Sequence, residues 1–407
     1  MTLPSTPLSA GRDALSLLAT VERDTPLFLA TPRHWLASEP GAALQPLHAR
    51  SAELPSRALE ALAAARHADQ PEAAIVGALP FDPDLPAQLH LTPRLLKARP
   101  VPVQAPPSPA WTQEVQALPS GARYAQAVGE AVARMRQGAL EKVVLARTLL
   151  LRGPALPGVH DLLTRLLARH PQALTFSART GPGRCLVGAS PELLVRRTNG
   201  WLQANPLAGS LPRVADPEED ERRGRLLLAS PKDLHEHALV VNAVVQALRP
   251  HCADLRVPAG PSLVKTPSMW HLSTEIQGPT AADALTLALA LHPTPAVCGH
   301  PRAQALSLIR ELEPFERGCY AGAVGWMDSQ GDGEWAVAIR CAELGSGSLQ
   351  LFAGAGIVAA SDPLLEQAET GAKFRTMLDA LGLGHDITEV APDLRAATNG
   401  PDQGRAA

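Results

Sequence analysis

Two kinds of hydrophobic pattern alternate along the middle of the chain. Apolar residues recur at helical spacing from Tyr124 to Met135, and Gly138 is predicted to end that helix. The unbroken apolar run from Val143 to Leu151 is typical of a buried β-strand. The same patterns predict a helix around 162–167 and short strands at 173–176, 185–187 and 193–196. Alternation of strands and helices indicates an α/β or α+β fold.

Three later helices are predicted from a polar residue followed by proline, which is a common way to begin a helix. They begin at Asp216, Ser230 and Asp362, and the last continues to about Leu381. Between the second and third of these helices, apolar patterns predict two strands, at 335–341 and 349–358. The second and third helices also carry acidic residues that are candidate metal ligands.

Those two helices each contain a pair of acids at i, i+3 spacing, Asp233 with Glu236 and Glu366 with Glu369. Each pair therefore lies on one helix face. For a single pair, the helix macrodipole is the simpler explanation, because it favours negative charge near a helix N-terminus. Four converging carboxylates would repel each other unless a cation lay between them, and all-oxygen ligation favours Mg²⁺.

Two further residues are candidates for acid–base chemistry. Only five of the 37 basic residues are lysines, and Lys142 begins the apolar run described above. It is either a strand-edge lysine in water or a desolvated lysine whose lowered pKa lets it act as a base. Glu192 follows a tight turn at 188–191. It is either a solvated turn residue or a general acid held in a fixed place.

Basic residues and small-residue turns could bind an anion. Arg340 is predicted on a strand face whose other residues are small, which leaves room for a carboxylate; a surface ion pair is the alternative. Lys373 lies one turn after Glu369, so an intrahelical ion pair is the simpler explanation there. Pro206–Ser210 and Gly354–Gly356 are predicted turns that either present backbone N–H groups to an anion or need glycine for their backbone angles.

Composition excludes several classes of protein. A chain of 407 residues with 45% hydrophobic and 19% charged residues can bury a large core, which excludes a disordered chain. The net charge of −3 indicates neither nucleic-acid binding nor a membrane-surface patch. No apolar run reaches the roughly 18–20 residues of a membrane helix, and no signal-peptide pattern is present. The five cysteines lack CxxC spacing, which argues against a zinc site or disulfides and favours a reducing cytoplasm.

Eight segments, taken together and in order, resemble the chorismate-utilising enzymes, most closely their isochorismate synthase branch. The resemblance covers roughly residues 122–383. The matching segments are LEKVVLAR (140–147), LVGASPELL (186–194), PLAGS (206–210), SPKDLHEHALV (230–240), MWHLST (269–274), LHPTPAVCG (291–299), GEWAVAIRC (333–341) and FAGAGIVAASDPLLEQAETGAK (352–373).

The resemblance implies a fold and a domain organisation. The expected fold is α+β, with two large stacked, mostly antiparallel sheets flanked by helices. Residues 1–110 would be a variable N-terminal part of the same fold, 112–385 the chorismate-binding catalytic region and 386–407 a disordered tail. The Pro-rich stretch at 98–111 is either a connector between domains or a surface loop within one domain.

The resemblance also implies roles for individual residues. Lys142 would activate water for attack at ring C2, and Glu192 would protonate the departing C4 hydroxyl. Mg²⁺ would be bound by Glu236 and Glu369, with Asp233 and Glu366 acting through metal-bound water. The implied substrate contacts are Gly209, Ser210, His271, Ala296, Arg340, Gly354 and Lys373, where Arg340 and Lys373 would bind the two carboxylates of chorismate.

Three positions discriminate among relatives on the same scaffold. Lys142 differs from the glutamine typical of anthranilate synthases, and Ala208 from the lysine frequent in aminodeoxychorismate synthases. Ala296 stands where anthranilate and salicylate synthases tend to have threonine. These residues favour isochorismate synthase over the alternatives, which are salicylate synthase and component I of anthranilate or aminodeoxychorismate synthase. The resemblance further implies Mg²⁺ as cofactor, chorismate as substrate and a monomer, and it leaves the downstream pathway open. Val297 and Cys298 depart from the expected Leu and Ser, which keeps salicylate synthase as an alternative.

Overall fold

A computed structural model describes residues 13–107, 114–154, 156–345 and 347–384. The predicted tail at 386–407 and the end of the Pro-rich stretch, from residue 108, lie outside these ranges. Residues 99–107 form neither helix nor strand. The predicted domain boundaries remain predictions.

The described strands, in chain order, are β1 (Leu27–Ala30), β2 (Trp35–Ser38), β3 (Gln45–Pro46), β4 (Ala74–Leu79), β5 (Gln88–Thr92), β6 (Leu95–Ala98), β7 (Glu114–Leu118), β8 (Lys142–Arg152), β9 (Leu174–Gly181), β10 (Arg184–Ser190), β11 (Leu193–Thr198), β12 (Trp201–Asn205), β13 (Leu207–Pro212), β14 (Ser262–Lys265), β15 (Met269–Ser273), β16 (Ile276–Pro279), β17 (Gly299–His300), β18 (Ala323–Asp328), β19 (Gly333–Val337), β20 (Cys341–Gly345) and β21 (Ser348–Val358). The described helices are α1 (Ala14–Ala19), α2 (Leu54–His67), α3 (Gly121–Arg136), α4 (Val159–Arg169), α5 (Pro217–Ala229), α6 (Pro231–Leu248), α7 (Ala284–Leu291), α8 (Arg302–Leu312) and α9 (Pro363–Leu381).

Two large antiparallel sheets and one small sheet organise these strands. The first large sheet has the order β17-β8-β21-β20-β10-β9-β1-β2-β6, with β7 also paired to β8. The second has the order β16-β12-β11-β19-β18-β4-β5-β3, and β13, β15 and β14 form the small sheet. Apolar side chains of both large sheets meet in one core, for example Leu29 of β1, Val76 of β4 and Val143 of β8. This architecture confirms the predicted α+β fold.

The predicted helix starts are confirmed because each depends on local chemistry. Asp216, Ser230 and Asp362 each cap a helix by accepting a hydrogen bond from a backbone N–H of the first turn, and proline follows each of them. Gly382 ends α9 in the left-handed conformation, at φ 70°. The acidic pairs therefore stand at the N-terminal ends of α6 and α9, as expected.

Three sequence-based predictions of secondary structure were wrong. The strand predicted at 335–341 is two strands, since β19 ends at Val337 and β20 begins at Cys341. Gly354–Gly356 lies inside β21, and not in a turn. The PLAGS segment likewise forms most of β13, where a register shift between Leu207 and Ser210 accommodates Gly209 at φ 77°.

Two further findings concern possible membrane-spanning helices and the cysteines. Within the described ranges, no helix has both the length and the hydrophobicity needed to cross a bilayer. All five cysteines lie among the described residues, where they are buried free thiols.

Candidate active site

One cavity brings together residues from both acidic helices and from four strands. It is lined by all seven predicted substrate contacts and by three of the predicted catalytic or metal-binding acids, Glu192, Glu236 and Glu369. Three predicted residues, Lys142, Asp233 and Glu366, do not line the cavity, although Lys142 contacts Glu236, which does. The cavity is also lined by six residues that had no predicted role: Val144, Pro191, Leu207, Ala208, Ile339 and Gly356.

Lys142 is completely buried at the start of β8. Its Nζ lies 2.8 Å from Oε1 of Glu236, which projects from the first turns of α6. Burial acts to raise the pKa of Glu236, but the charge and hydrogen bond of Lys142, together with Lys232 and Lys373, hold that pKa below its ordinary value. The two residues therefore form a buried ion pair at one side of the cavity.

Glu192 occupies the link between β10 and β11 and is only 3% exposed. Its backbone N–H donates to the Ser190 hydroxyl at 3.2 Å, which holds the turn. Its carboxylate accepts one backbone N–H, that of Leu207, at 3.5 Å. Burial raises the pKa of Glu192 to about 7, and Lys142 and Arg340 offset that effect only in part. At neutral pH this carboxyl group is therefore able both to hold and to release a proton.

Arg340 lies in the interruption between β19 and β20, where its φ is 53°. Left-handed backbone is uncommon for a residue other than glycine and is typical of functional sites. Its carbonyl accepts the N–H of Ala189 in β10 at 3.1 Å. The guanidinium lines the cavity beside Ile339, so the period-two alternation predicted for this segment does not apply.

Lys373 and Ser210 both contact Glu369. Lys373 Nζ lies 2.6 Å from Glu369 Oε1 and donates to the carbonyl oxygen of Gly354 at 2.8 Å. The Ser210 hydroxyl donates to the same oxygen of Glu369 at 3.0 Å. The intrahelical ion pair expected as the simpler explanation for Lys373 is present, and both of its side chains face the cavity.

Glycines in β21 make room for these contacts. A Cβ at Gly356 would lie 2.2 Å from Oε1 of Glu236 and 3.2 Å from Cε of Lys142. A Cβ at Gly354 would lie 2.9 Å from the hydroxyl oxygen of Tyr320. These glycines are thus needed for space inside a strand, which the sequence pattern did not reveal.

The acidic residues of α6 and α9 offer oxygen atoms of the kind that Mg²⁺ binds. Within the ranges that the structure describes, no three His, Cys, Asp or Glu side chains form a ready-made metal cluster. Lysines offset the negative charge of these acids instead. For example, Lys232 Nζ lies 3.0 Å from Glu366 Oε1. Burial raises the pKa of Glu366, and the charge of Glu369 raises it further. Carboxylates with this mutual repulsion, two of them facing the cavity, fit a hard cation that takes oxygen ligands.

Comparison with known proteins decides the family. A family described as chorismate binding enzyme matches residues 87–382. The chain belongs to this family. The resemblance found in the sequence is thereby confirmed, and the cavity lies entirely within the matched residues.

Individual members of the family share most of their length with the chain. Isochorismate synthase DhbC of Bacillus subtilis is 46% identical over 344 residues, covering 82% of this chain and 86% of that protein. A crystal structure from Bacillus anthracis, described as a 2,3-dihydroxybenzoate-specific isochorismate synthase, has a TM-score of 0.86 at 41% identity, covering 91% and 100% of the two chains. MenF, the menaquinone-specific isochorismate synthase of Escherichia coli, has a TM-score of 0.76 at 25% identity, covering 92% of each.

Proposed function

We propose that the protein is an isochorismate synthase, which converts chorismate reversibly to isochorismate in a Mg²⁺-dependent reaction. Water attacks ring C2 and the C4 hydroxyl leaves. The observation that carries the proposal is a buried carboxyl with a pKa of about 7 that lines the cavity, together with a buried lysine that contacts another cavity-lining residue, Glu236. The similarity to isochorismate synthases over most of the chain supports the choice of reaction.

In this proposal Lys142 and Glu192 move the protons. The neutral amine of Lys142 takes a proton from the attacking water and becomes an ammonium, and the carboxyl group of Glu192 gives a proton to the departing hydroxyl, which leaves as water. One water enters and one leaves, so the reaction is an isomerisation. General acid and general base catalysis each contribute roughly 10²–10⁴ in rate. The 2.8 Å contact with Glu236 Oε1 holds the Lys142 amine in position.

Glu236 and Glu369 are the proposed Mg²⁺ ligands, with Asp233 and Glu366 behind them. The bound ion would supply positive charge that orients the ring carboxylate of chorismate and offsets its charge. Arg340 and Lys373 would bind the two carboxylates. The other proposed substrate contacts are Gly209, Ser210, His271, Ala296 and Gly354, which all line the cavity.

We also infer that the protein acts as a monomer in the cytoplasm. The first point rests on the resemblance to the isochorismate synthase branch, whose members are usually monomeric. Five buried free thiols fit a reducing compartment. Sedimentation equilibrium at assay concentration measures the first point, and a stable dimer would contradict it.

One incubation tests the reaction. Protein, chorismate and Mg²⁺ should yield an isomer of chorismate's mass on chromatography with mass detection, and excess EDTA should abolish its formation. Salicylate plus pyruvate would show the alternative salicylate synthase reaction. Unchanged chorismate would contradict enzymatic function and favour a relative that only binds the anion.

A variant pair tests the metal site. Glu369→Ala should abolish Mg²⁺-dependent turnover and the rise in melting temperature on adding Mg²⁺, because a proposed ligand facing the cavity is lost. Glu60→Ala, which removes an exposed acid from α2, is the matched control and should leave both unchanged. Activity of the wild-type protein in excess EDTA would contradict the metal site altogether.

A further inference from the structure

The strand that carries Lys142 has a gap in its hydrogen bonding along one edge. β21 pairs with β8 over its full length. The other edge of β8 pairs with β17 at Lys142 and Val143, and with β7 from Thr148 onward. Among the described residues, no strand covers that edge over 144–147. Buried backbone groups left unpaired there would each cost about 1–3 kcal/mol, so other groups must bond to them.

A buried ion pair provides two of those bonds, and the N–H of Val144 donates to the carbonyl of Cys298 at 2.8 Å. Glu313 and Arg317 lie just after α8 and are joined by hydrogen bonds of 2.8 Å and 2.5 Å. Glu313 Oε1 accepts the N–H of Ala146 at 2.7 Å, and Arg317 Nη2 donates to the carbonyl of Val144 at 2.7 Å. Both charged side chains are 3% exposed, so each requires the other to offset the cost of its burial.

The guanidinium of Arg317 also donates a hydrogen bond to the opposite wall of the cavity. Arg317 Nη1 donates to the carbonyl of Val297 at 2.9 Å. Val297 directly follows Ala296, which lines the cavity, as Val144 does on the opposite side. The planar, multi-donor fork of arginine can bond two carbonyls and a carboxylate in fixed positions, whereas the single nitrogen of lysine cannot hold the same spacing.

We propose that Glu313 and Arg317 are positioning residues that set the separation between β8 and the Ala296–Val297 loop, and so the width of the cavity beside Lys142. Neither residue lines the cavity. They act through the backbone of the two walls and not by touching the substrate. The inference rests on the proposed function, because it concerns how the cavity holds chorismate.

Arg317→Lys is the first test. The lysine keeps the charge beside Glu313 but releases one of the two carbonyls, so the walls lose their fixed spacing. We expect a higher KM for chorismate and a fall in kcat/KM of about 10- to 100-fold, the range for misplacing a bound substrate by about 1 Å. Glu313→Gln keeps an acceptor for Ala146 and should give a smaller change in the same direction.

A second Arg–Glu pair, in which Glu334 is buried and Arg196 is half-buried, provides the matched control. Arg196 of β11 and Glu334 of β19 form an ion pair in the second sheet, and neither side chain lines the cavity. Arg196→Lys and Glu334→Gln should lower the melting temperature, as the Arg317 and Glu313 variants do, but leave KM unchanged. The split between KM and melting temperature separates positioning from general support of the fold.

Three outcomes would refute either the positioning role or the proposed function. If Arg317→Lys and Glu313→Gln lower only the melting temperature, the pair is structural and the positioning role is refuted. If Arg317→Lys does not fold, Glu313→Gln decides, and failure of both to fold also refutes the role. An inactive wild-type protein would instead refute the proposed function, and chorismate affinity measured by calorimetry would then test positioning by the same expected fold-change.

Discussion

Glu192 and Glu236 lie around the same cavity and are both buried, at 3% and 7% exposure, yet their pKa values move in opposite directions. Burial acts to raise both values. Glu236 has the amine of Lys142 at 2.8 Å, and that cation lowers its pKa below the ordinary value. Glu192 has only the N–H of Leu207 at 3.5 Å within hydrogen-bonding reach, and its pKa rises to about 7.

The comparison shows that the partner of a buried carboxyl group, and not burial alone, decides its charge. One side of the cavity thus holds a carboxylate that stays ionised, suited to a cation or to a lysine. The other side holds a carboxyl group that can be protonated at neutral pH, suited to a general acid. Separated protonation states of this kind are expected where an acid and a base must act in the same step.

The largest expected effect comes from replacing Lys142, the cation that lowers the pKa of Glu236. Lys142→Ala should lower kcat at least ~100-fold, because the variant lacks the proposed base for the attacking water. Loss of the cation should also raise the pKa of Glu236. Steady-state turnover of chorismate measures the first effect. Lys97→Ala, which removes a lysine lying over the Trp326 ring, is the matched control and should keep normal kcat.

Circular dichroism should show that the Lys142→Ala chain remains folded. A kcat within a few-fold of the wild-type value would refute the assignment of Lys142 as the base.

Glu192→Gln tests the other side and should also lower kcat by at least ~100-fold, since an amide cannot supply the acidic proton. In the proposed mechanism the protonated form of Glu192 is the active one. Its rate should therefore fall as pH rises through about 7, and this alkaline limb should disappear in the variant. A pH–rate profile of both proteins provides the measurement.

Glu343→Gln is the matched control, because it removes a carboxylate of β20 that pairs with Arg184 away from the cavity. It should retain both the rate and the alkaline limb. An unchanged pH profile in Glu192→Gln would show that another group provides the acid.

The same carboxyl group should make stability depend on pH. The pKa of Glu192 is raised in the folded state, from the ordinary 4.5 to about 7. Its contribution is fully present below pH ~4.5 and is lost as pH rises through about 7. Glu192→Gln should therefore be more stable than wild type at pH 8, relative to pH 5, by up to about 3 kcal/mol. Chemical denaturation at both pH values checks this, and an equal difference at both would show that the pKa of this buried carboxyl group is not raised by folding.

Local chemistry explains which parts of the molecule could be predicted from sequence. The starts of α6 and α9 depend on a capping side chain and a proline next to it, so Ser230 and Asp362 sufficed to place them. The acids on these helices could be grouped because helical spacing is regular. The order of the eight family-like segments predicted the fold that the structure and the solved relatives show.

The missed features depend on contacts between segments far apart in the chain. Arg340 leaves the strand pattern in a segment where the carbonyl of Ala338 bonds to Ala321 and that of Arg340 to Ala189. Glu313 and Arg317 have no motif of their own, since they complete a strand edge about 170 residues earlier. Neither arrangement has a local signal in the sequence.

The smallest effect in this series concerns the space that keeps Glu236 beside Lys142. Gly356→Ala would place a Cβ 2.2 Å from Glu236 Oε1, so that carboxylate must move away from the lysine. We expect kcat/KM to fall about tenfold, since small displacements of catalytic groups have effects of this size or larger. Gly260→Ala, where the new Cβ meets nothing within 4 Å, is the matched control and should behave as wild type. If Gly356→Ala kept full activity and normal Mg²⁺ dependence, the Lys142–Glu236 contact would not be needed for catalysis, and the contrast between the two glutamates would describe only their protonation.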